Sequence, residues 1–161
     1  MSTTSFDELF SRFFDKVEND PDFFEYYNHS DEESMRIAQE RAKSYLLEAV
    51  DIFTLKCTPS VDFFNIDKEI GCFNFEVTSR EMEIISRIMY SIYRERDISK
   101  LKPILNSFSA TDIKSLFSPA NERRTFESLL SWYKERTDTL ITNYAARDRI
   151  TNKRKTINYE G

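Results

Sequence analysis

The stretch Thr78–Tyr93 reads TSREMEIISRIMYSIY. Met82, Ile85, Ile88, Met89, Ile92 and Tyr93 recur every three or four positions, with Ile84 beside them. That spacing lays one apolar stripe along a helix, because an α-helix turns once in about 3.6 residues. Thr78 and Glu81 stand three apart at its start. Such a pair forms a capping box, in which the hydroxyl and the carboxylate each satisfy an amide that the first turn leaves without a partner. The helix is expected to run to about Leu101 and to stop at Pro103, which lacks the N–H needed to continue it.

The same signals recur on both sides. Phe6, Leu9, Phe10, Phe13, Phe14 and Val17 make an aromatic stripe over residues 5–18, with Ser5 as its cap. Asn19, Asp20 and Pro21 end it, and DFFEYYNHS (22–30) reads as a packed loop or short helical turn. Ser30-Asp31-Glu32-Glu33 is another capping box. It opens a helix carrying Met35, Ala38, Ala42, Tyr45, Leu46, Ala49, Val50 and Phe53, which ends near Lys56. Ser118-Pro119 opens the last helix, with Phe126, Leu129, Leu130, Tyr133, Leu140, Ile141 and Tyr144 along it.

Between these lie two segments without a helical period. CTPSVDFFNIDKEIGCFNFEV (57–77) places Phe73, Phe75 and Val77 at alternating positions after a polar turn, and so predicts a short extended hairpin over 61–77. Residues 103–117 form a long loop that carries Ile113, Leu116 and Phe117. Beyond Asp148 the pattern is lost, and the end reads as a basic, frayed tail. The expected fold is all-α: about four helices in one domain (1–150), with a hairpin, a long loop and a C-terminal tail (151–161). Two Gly and four Pro in 161 residues agree with it, since sandwiches and barrels need more turn residues.

Composition limits function. No apolar run approaches the roughly 20 residues that span a bilayer, so no membrane partner is expected. The start MSTTSFDELF has neither a basic region nor an apolar core of the secretory kind. Cys57 and Cys72 are expected as free thiols, since two cysteines without a secretory context seldom pair. His29 is the one histidine, and no Cys-x-x-Cys pair accompanies it, so no metal site is expected. With glycine only at 71 and 161, no phosphate loop exists. Neither a cofactor nor an enzymatic activity is expected.

Two binding signals remain. Arg147, Arg149, Lys153, Arg154 and Lys155 crowd the C-terminal end, as contacts for DNA phosphates or an acidic partner. Cations near a helix C-terminus are also favoured for stability alone. Aromatics are the other signal: 11 of 14 Phe fall in the first 80 residues. Phe23, Phe24, Tyr26, Tyr27, Phe63, Phe64, Phe73 and Phe75 lie outside strong helical stripes, which makes them candidates for subunit contacts. Charge is uneven too. Residues 1–80 hold 8 basic and 17 acidic side chains, whereas residues 81–161 hold 15 and 11. A head-to-tail neighbour could exploit that difference, although two solvated faces would look the same.

The order of segments over roughly residues 75–150 resembles head–tail connector (neck or adaptor) proteins of tailed phages from Gram-positive hosts. The resemblance rests on EVTSREMEIISRIMYSIYRERDI, then SATDIKSLFS, then SPANERRTFESLLSWYKERTDTLITNYAARDR. Its most telling positions are Thr78, Ile84, Ile85, Met89, Ser109, Asp112, Ile113, Lys114, Ser118, Ala120 and Asn121. The linker reads Ser-Ala-Thr-Asp where such proteins tend to read Ser-Gly-Ser-Asp. What the resemblance implies is a structural virion protein, made in the host cytoplasm and placed at the head–tail interface. Copies of it would form a ring between the portal and the tail, around the DNA channel. Its partners would be itself, the portal protein, other neck or tail proteins and packaged DNA. Subunit or portal contacts would fall on Phe63, Phe64, Phe73 and Phe75, and on Asp112, Ile113, Lys114, Leu116 and Phe117 in the linker. A tail-terminator or baseplate subunit is the neighbouring alternative. A cytosolic helical regulator that binds protein or nucleic acid is the more distant one.

Overall fold

A computed structural model describes residues 2–24, 26, 28–107 and 119–156, with the side chains of 21, 22, 97–107 and 119–123 left aside. Its elements in chain order are β1 (Thr4–Ser5), α1 (Phe6–Val17), α2 (Pro21–Phe24), α3 (Asp31–Lys56), β2 (Ile66–Asp67), β3 (Cys72–Phe73), α4 (Ser79–Ser107) and α5 (Pro119–Ala145). The fold is a mostly helical bundle with a small three-stranded sheet, as expected.

The helices begin where capping chemistry lets them. Ser5 Oγ accepts from the Asp7 amide at α1. At α3 both halves of the capping box are made: the Glu33 amide donates to Ser30 Oγ at 3.3 Å, and Glu33 Oε2 accepts from the Ser30 amide at 3.3 Å. Burial then holds them together. Leu9, Phe10, Phe13 and Val17 of α1 join Ala42, Tyr45, Leu46, Ala49 and Phe53 of α3 and Ile85, Met89 and Tyr93 of α4 in one core. Fully burying one such large apolar side chain is worth about 1.5–3 kcal/mol. α4 is the central helix, packed against α1, α3 and α5.

Several expectations change. The short helical turn allowed for after Pro21 is there as α2, but Phe23 in it is wholly buried edge-on to Phe13 and Tyr93, with ring centroids at 5.3 Å from each. Phe23 is therefore core rather than a subunit contact. Met35, Leu129 and Leu140 are exposed and leave the stripes assigned to them. α4 runs through Pro103 to Ser107. A proline removes one hydrogen bond, but here it follows some 24 residues of formed helix, so no new nucleation is needed beyond it. The hairpin narrows to β2 and β3, paired antiparallel with Ile66 opposite Phe73, and the N-terminus adds β1 on the other side of β3. Gly71 closes the turn at φ +75°, a conformation side chains rarely adopt, and its carbonyl accepts from the Phe6 amide at 2.8 Å. The 108–117 part of the expected long loop, and Ser118 as a helix cap, lie outside the described residues.

Candidate interaction surfaces

The sheet, the start of α4 and the end of α5 meet at one end of the bundle. Phe63 and Phe73 point into that end and are completely or almost completely buried. Phe63 packs edge-on to Phe53 at 5.1 Å and to Phe75 at 5.1 Å. Phe75 is half-buried, beneath the guanidinium of Arg149 at 5.6 Å from its ring centre. Of the four hairpin phenylalanines expected at an interface, Phe63 and Phe73 belong to the chain's own core. Alternation along a strand identifies a buried face, but it does not say which chain buries it. Phe64 alone of the four turns outward, and is 58% exposed.

The C-terminal end also departs from expectation. Residues 146–155 form a small antiparallel turn rather than a frayed tail. The Lys155 amide donates to the Ala146 carbonyl at 3.0 Å, and the Asp148 amide to the Lys153 carbonyl at 2.7 Å. Asp148 Oδ1 accepts from the amides of Ile150 and Thr151 and from the Thr151 hydroxyl. Those bonds, the Thr151 amide first, hold the Asp148 carboxyl below its ordinary range. Asn152 takes φ 60°, which asparagine tolerates better than most residues. The signal was present in the sequence as Asp148 and Asn152, two turn formers four apart.

One residue anchors this turn. Arg149 donates from Nε to Glu81 Oε1 at 2.6 Å and from Nη2 to Glu81 Oε2 at 3.0 Å. It also donates to the Glu76 carbonyl. Glu81 is fully buried. Its remaining capacity is filled by the Thr78 amide at 2.8 Å and the Tyr144 hydroxyl at 2.6 Å. Burial and then the adjacent carboxylate push the Tyr144 phenol up. Arg149 is thus committed inside the protein and is withdrawn from the set of outward cations. Arg147 is half-exposed, and Lys153, Arg154 and Lys155 are exposed. Ile150, between the two arms of the turn, is 73% exposed.

A second outward surface lies on α5. Leu129 and Trp132 are 61% and 53% exposed, and Arg136 covers part of the indole at 5.1 Å. Beside them a cleft of about 330 Å³ is walled by Tyr90, Phe126 and Tyr133. A third surface is a cleft of about 550 Å³ between α3 and the hairpin. Phe6, Leu47, Val50, Ile66 and Phe73 line it, with Phe64 at its lip and Asp51, Asp67 and Lys68 at its rim. The linker residues Asp112, Ile113, Lys114, Leu116 and Phe117 lie outside the described residues.

Among the described residues no group of three or more His, Cys, Asp or Glu side chains is placed to hold a metal ion. Every buried side-chain polar atom among them has a hydrogen-bond partner. His29 sits at the surface with its Nδ1 3.4 Å from Glu33 Oε2. Both cysteines are free thiols, and burial pushes the Cys57 thiol up to about 11. No described helix is long and apolar enough to cross a membrane. Comparison with family models, with curated proteins and with solved structures gives no match for this chain.

Proposed function

We propose that this chain is a structural, non-enzymatic virion protein: a head–tail connector subunit that joins the portal to the tail as a ring around the DNA channel. The observation that carries the reading is the ordered resemblance over residues 75–150. The described residues of that span form α4, α5 and the C-terminal turn. The surface supports the reading in a second way. Phe64 beside the sheet and Leu129 with Trp132 on α5 are exposed large apolar side chains on different elements. Two unlike patches on one chain suit heterologous contacts, which close into rings when the rotation between neighbours allows. In this reading the linker 106–117 and the α5 patch serve the portal or tail neighbour.

The test is native mass spectrometry of the purified chain alone and with assembled portal. A cyclic multimer, free or seated on the portal, is expected. A monomer without affinity for portal or tail proteins contradicts the proposal.

A further inference from the structure

The C-terminal turn carries its charge in an unusual way. Residues 146–155 hold five basic side chains and one acidic one. Arg149 is neutralised by the buried Glu81. Arg147, Lys153, Arg154 and Lys155 remain, and Asp148 is the one acid among them. Arg147 donates to the Asn152 carbonyl at 3.2 Å, inside the turn. None of the four cations meets a carboxylate at ion-pair distance among the described residues. Glu8 and Glu76 border a recess that Arg149 and Ile150 also line, so these acids sit by the tip of the turn. The two arms, at 147 and 153–155, are left positive.

A second observation points to a ligand. Arg147 and Arg154 stand directly opposite each other across the ladder. The Asp148 amide bonds the Lys153 carbonyl on one side of them, and the Lys155 amide bonds the Ala146 carbonyl on the other. Theirs is therefore the closer, non-hydrogen-bonded kind of cross-strand pair. Like charges placed so are destabilising. An anion lying across both removes that cost.

The kind of anion follows from what the turn lacks. A specific protein contact draws its affinity from an apolar centre that loses its water. The one large apolar side chain of the turn, Ile150, is at the tip rather than among the cations. The phosphates of DNA need only charge, and they repeat at short intervals along the duplex. The chain as a whole carries −5. At physiological salt, however, an exposed charge is felt over only about 8 Å, so the local cluster decides. The ladder and the Arg149 anchor also hold the cations in place beforehand, which lowers the entropy lost on contact.

We infer that the C-terminal turn is the element of this chain that faces DNA; its place in the particle rests on the connector reading above. Arg147, Lys153, Arg154 and Lys155 bind phosphates without regard to base sequence. Arg149 holds the turn and does not touch the DNA.

The test is fluorescence anisotropy of a labelled duplex of arbitrary sequence with the full-length chain, over a salt series. Four phosphate contacts predict that log K falls against log salt with a slope of about −3.6, at about 0.9 per contact. A fourfold rise in salt then weakens binding roughly 150-fold. The triple variant Lys153→Gln, Arg154→Gln, Lys155→Gln keeps the main-chain ladder, and is expected to bring the slope to about −1. Arg36, Lys68 and Arg124 are exposed cations elsewhere. Changing those three to Gln removes the same net charge and is expected to leave the slope as it was. Far-UV circular dichroism checks that both variants fold. Absence of binding at low salt, an unchanged slope in the turn variant, or an equal drop in the control variant overturns the contact. Tighter binding to polyglutamate than to the duplex overturns it too, and makes the turn a contact for an acidic protein. Native mass spectrometry reads ring assembly separately. A ring that does not bind DNA removes this contact and leaves the connector reading standing. A chain that binds DNA through the turn but never assembles, alone or on the portal, keeps the contact and removes the ring.

Discussion

The chain contains two capping boxes of the same design, and they do different work. At α3, Ser30 and Glu33 sit at the surface, and the carboxylate reaches only the Ser30 amide and His29. At α4, Thr78 and Glu81 make the same pair of bonds, but the carboxylate is buried and also holds Arg149 and Tyr144. The first box starts a helix. The second starts a helix and pins the C-terminal turn to it across 68 residues of sequence. The difference is burial. In water a carboxylate is content with solvent, whereas a buried one must be fully partnered or its desolvation is left uncompensated.

That contrast can be broken most strongly at Arg149. Arg149→Met leaves the Glu81 charge buried without its cation, and thermal or urea unfolding is expected to show a loss of about 3–5 kcal/mol. The double variant Glu81→Gln with Arg149→Met is expected to recover part of it, because the neutral amide removes the buried charge and its carbonyl still accepts from the Thr78 amide or the Tyr144 hydroxyl. A double variant no better than Arg149→Met would show that the pair is not coupled. Ser30→Ala at the exposed box is expected to cost only about 1 kcal/mol, the ordinary value of a cap. Equal losses at the two sites would remove the distinction.

Acid titration sharpens the comparison with a smaller effect. The Ser30 amide and then His29 hold Glu33 below its ordinary range, and the Thr151 amide and hydroxyl do the same for Asp148. A carboxyl depressed in the folded state adds stability above its unfolded pKa, and that stability is lost as pH falls through the folded value. Lowering pH below about 4 should therefore loosen both the α3 start and the C-terminal turn. Amide exchange at Glu33, Ile150 and Thr151 should quicken relative to core amides such as Ile85, after correction for the intrinsic pH dependence. Unchanged protection across that range would mean the carboxylates are not what orders these turns.

The helical half of this fold was legible because its signals are local. Capping pairs at 30–33 and 78–81 and the stripes of α1, α3 and α4 act over one or two turns, and they sit where the periodicity placed them. What periodicity could not supply is the partner of each apolar face. Phe63 and Phe73 look alike on paper to Phe64, yet two are core and one is surface, because Phe53 of α3 packs on Phe63 and Phe6 of α1 packs on Phe73. Arg149 looked like one cation among five for the same reason: its carboxylate partner lies at the start of another helix. Met35, Leu129 and Leu140 fit their stripes but end up exposed, since one helix face can be wider than the neighbour that covers it.

The direct measurement for the proposed role is where the chain sits in an intact particle. A cryo-EM reconstruction of the virion that incorporates it is predicted to show a ring of this helical bundle between portal and tail, encircling the channel. Density for the bundle at another station, or a complete particle that lacks it, would contradict that role.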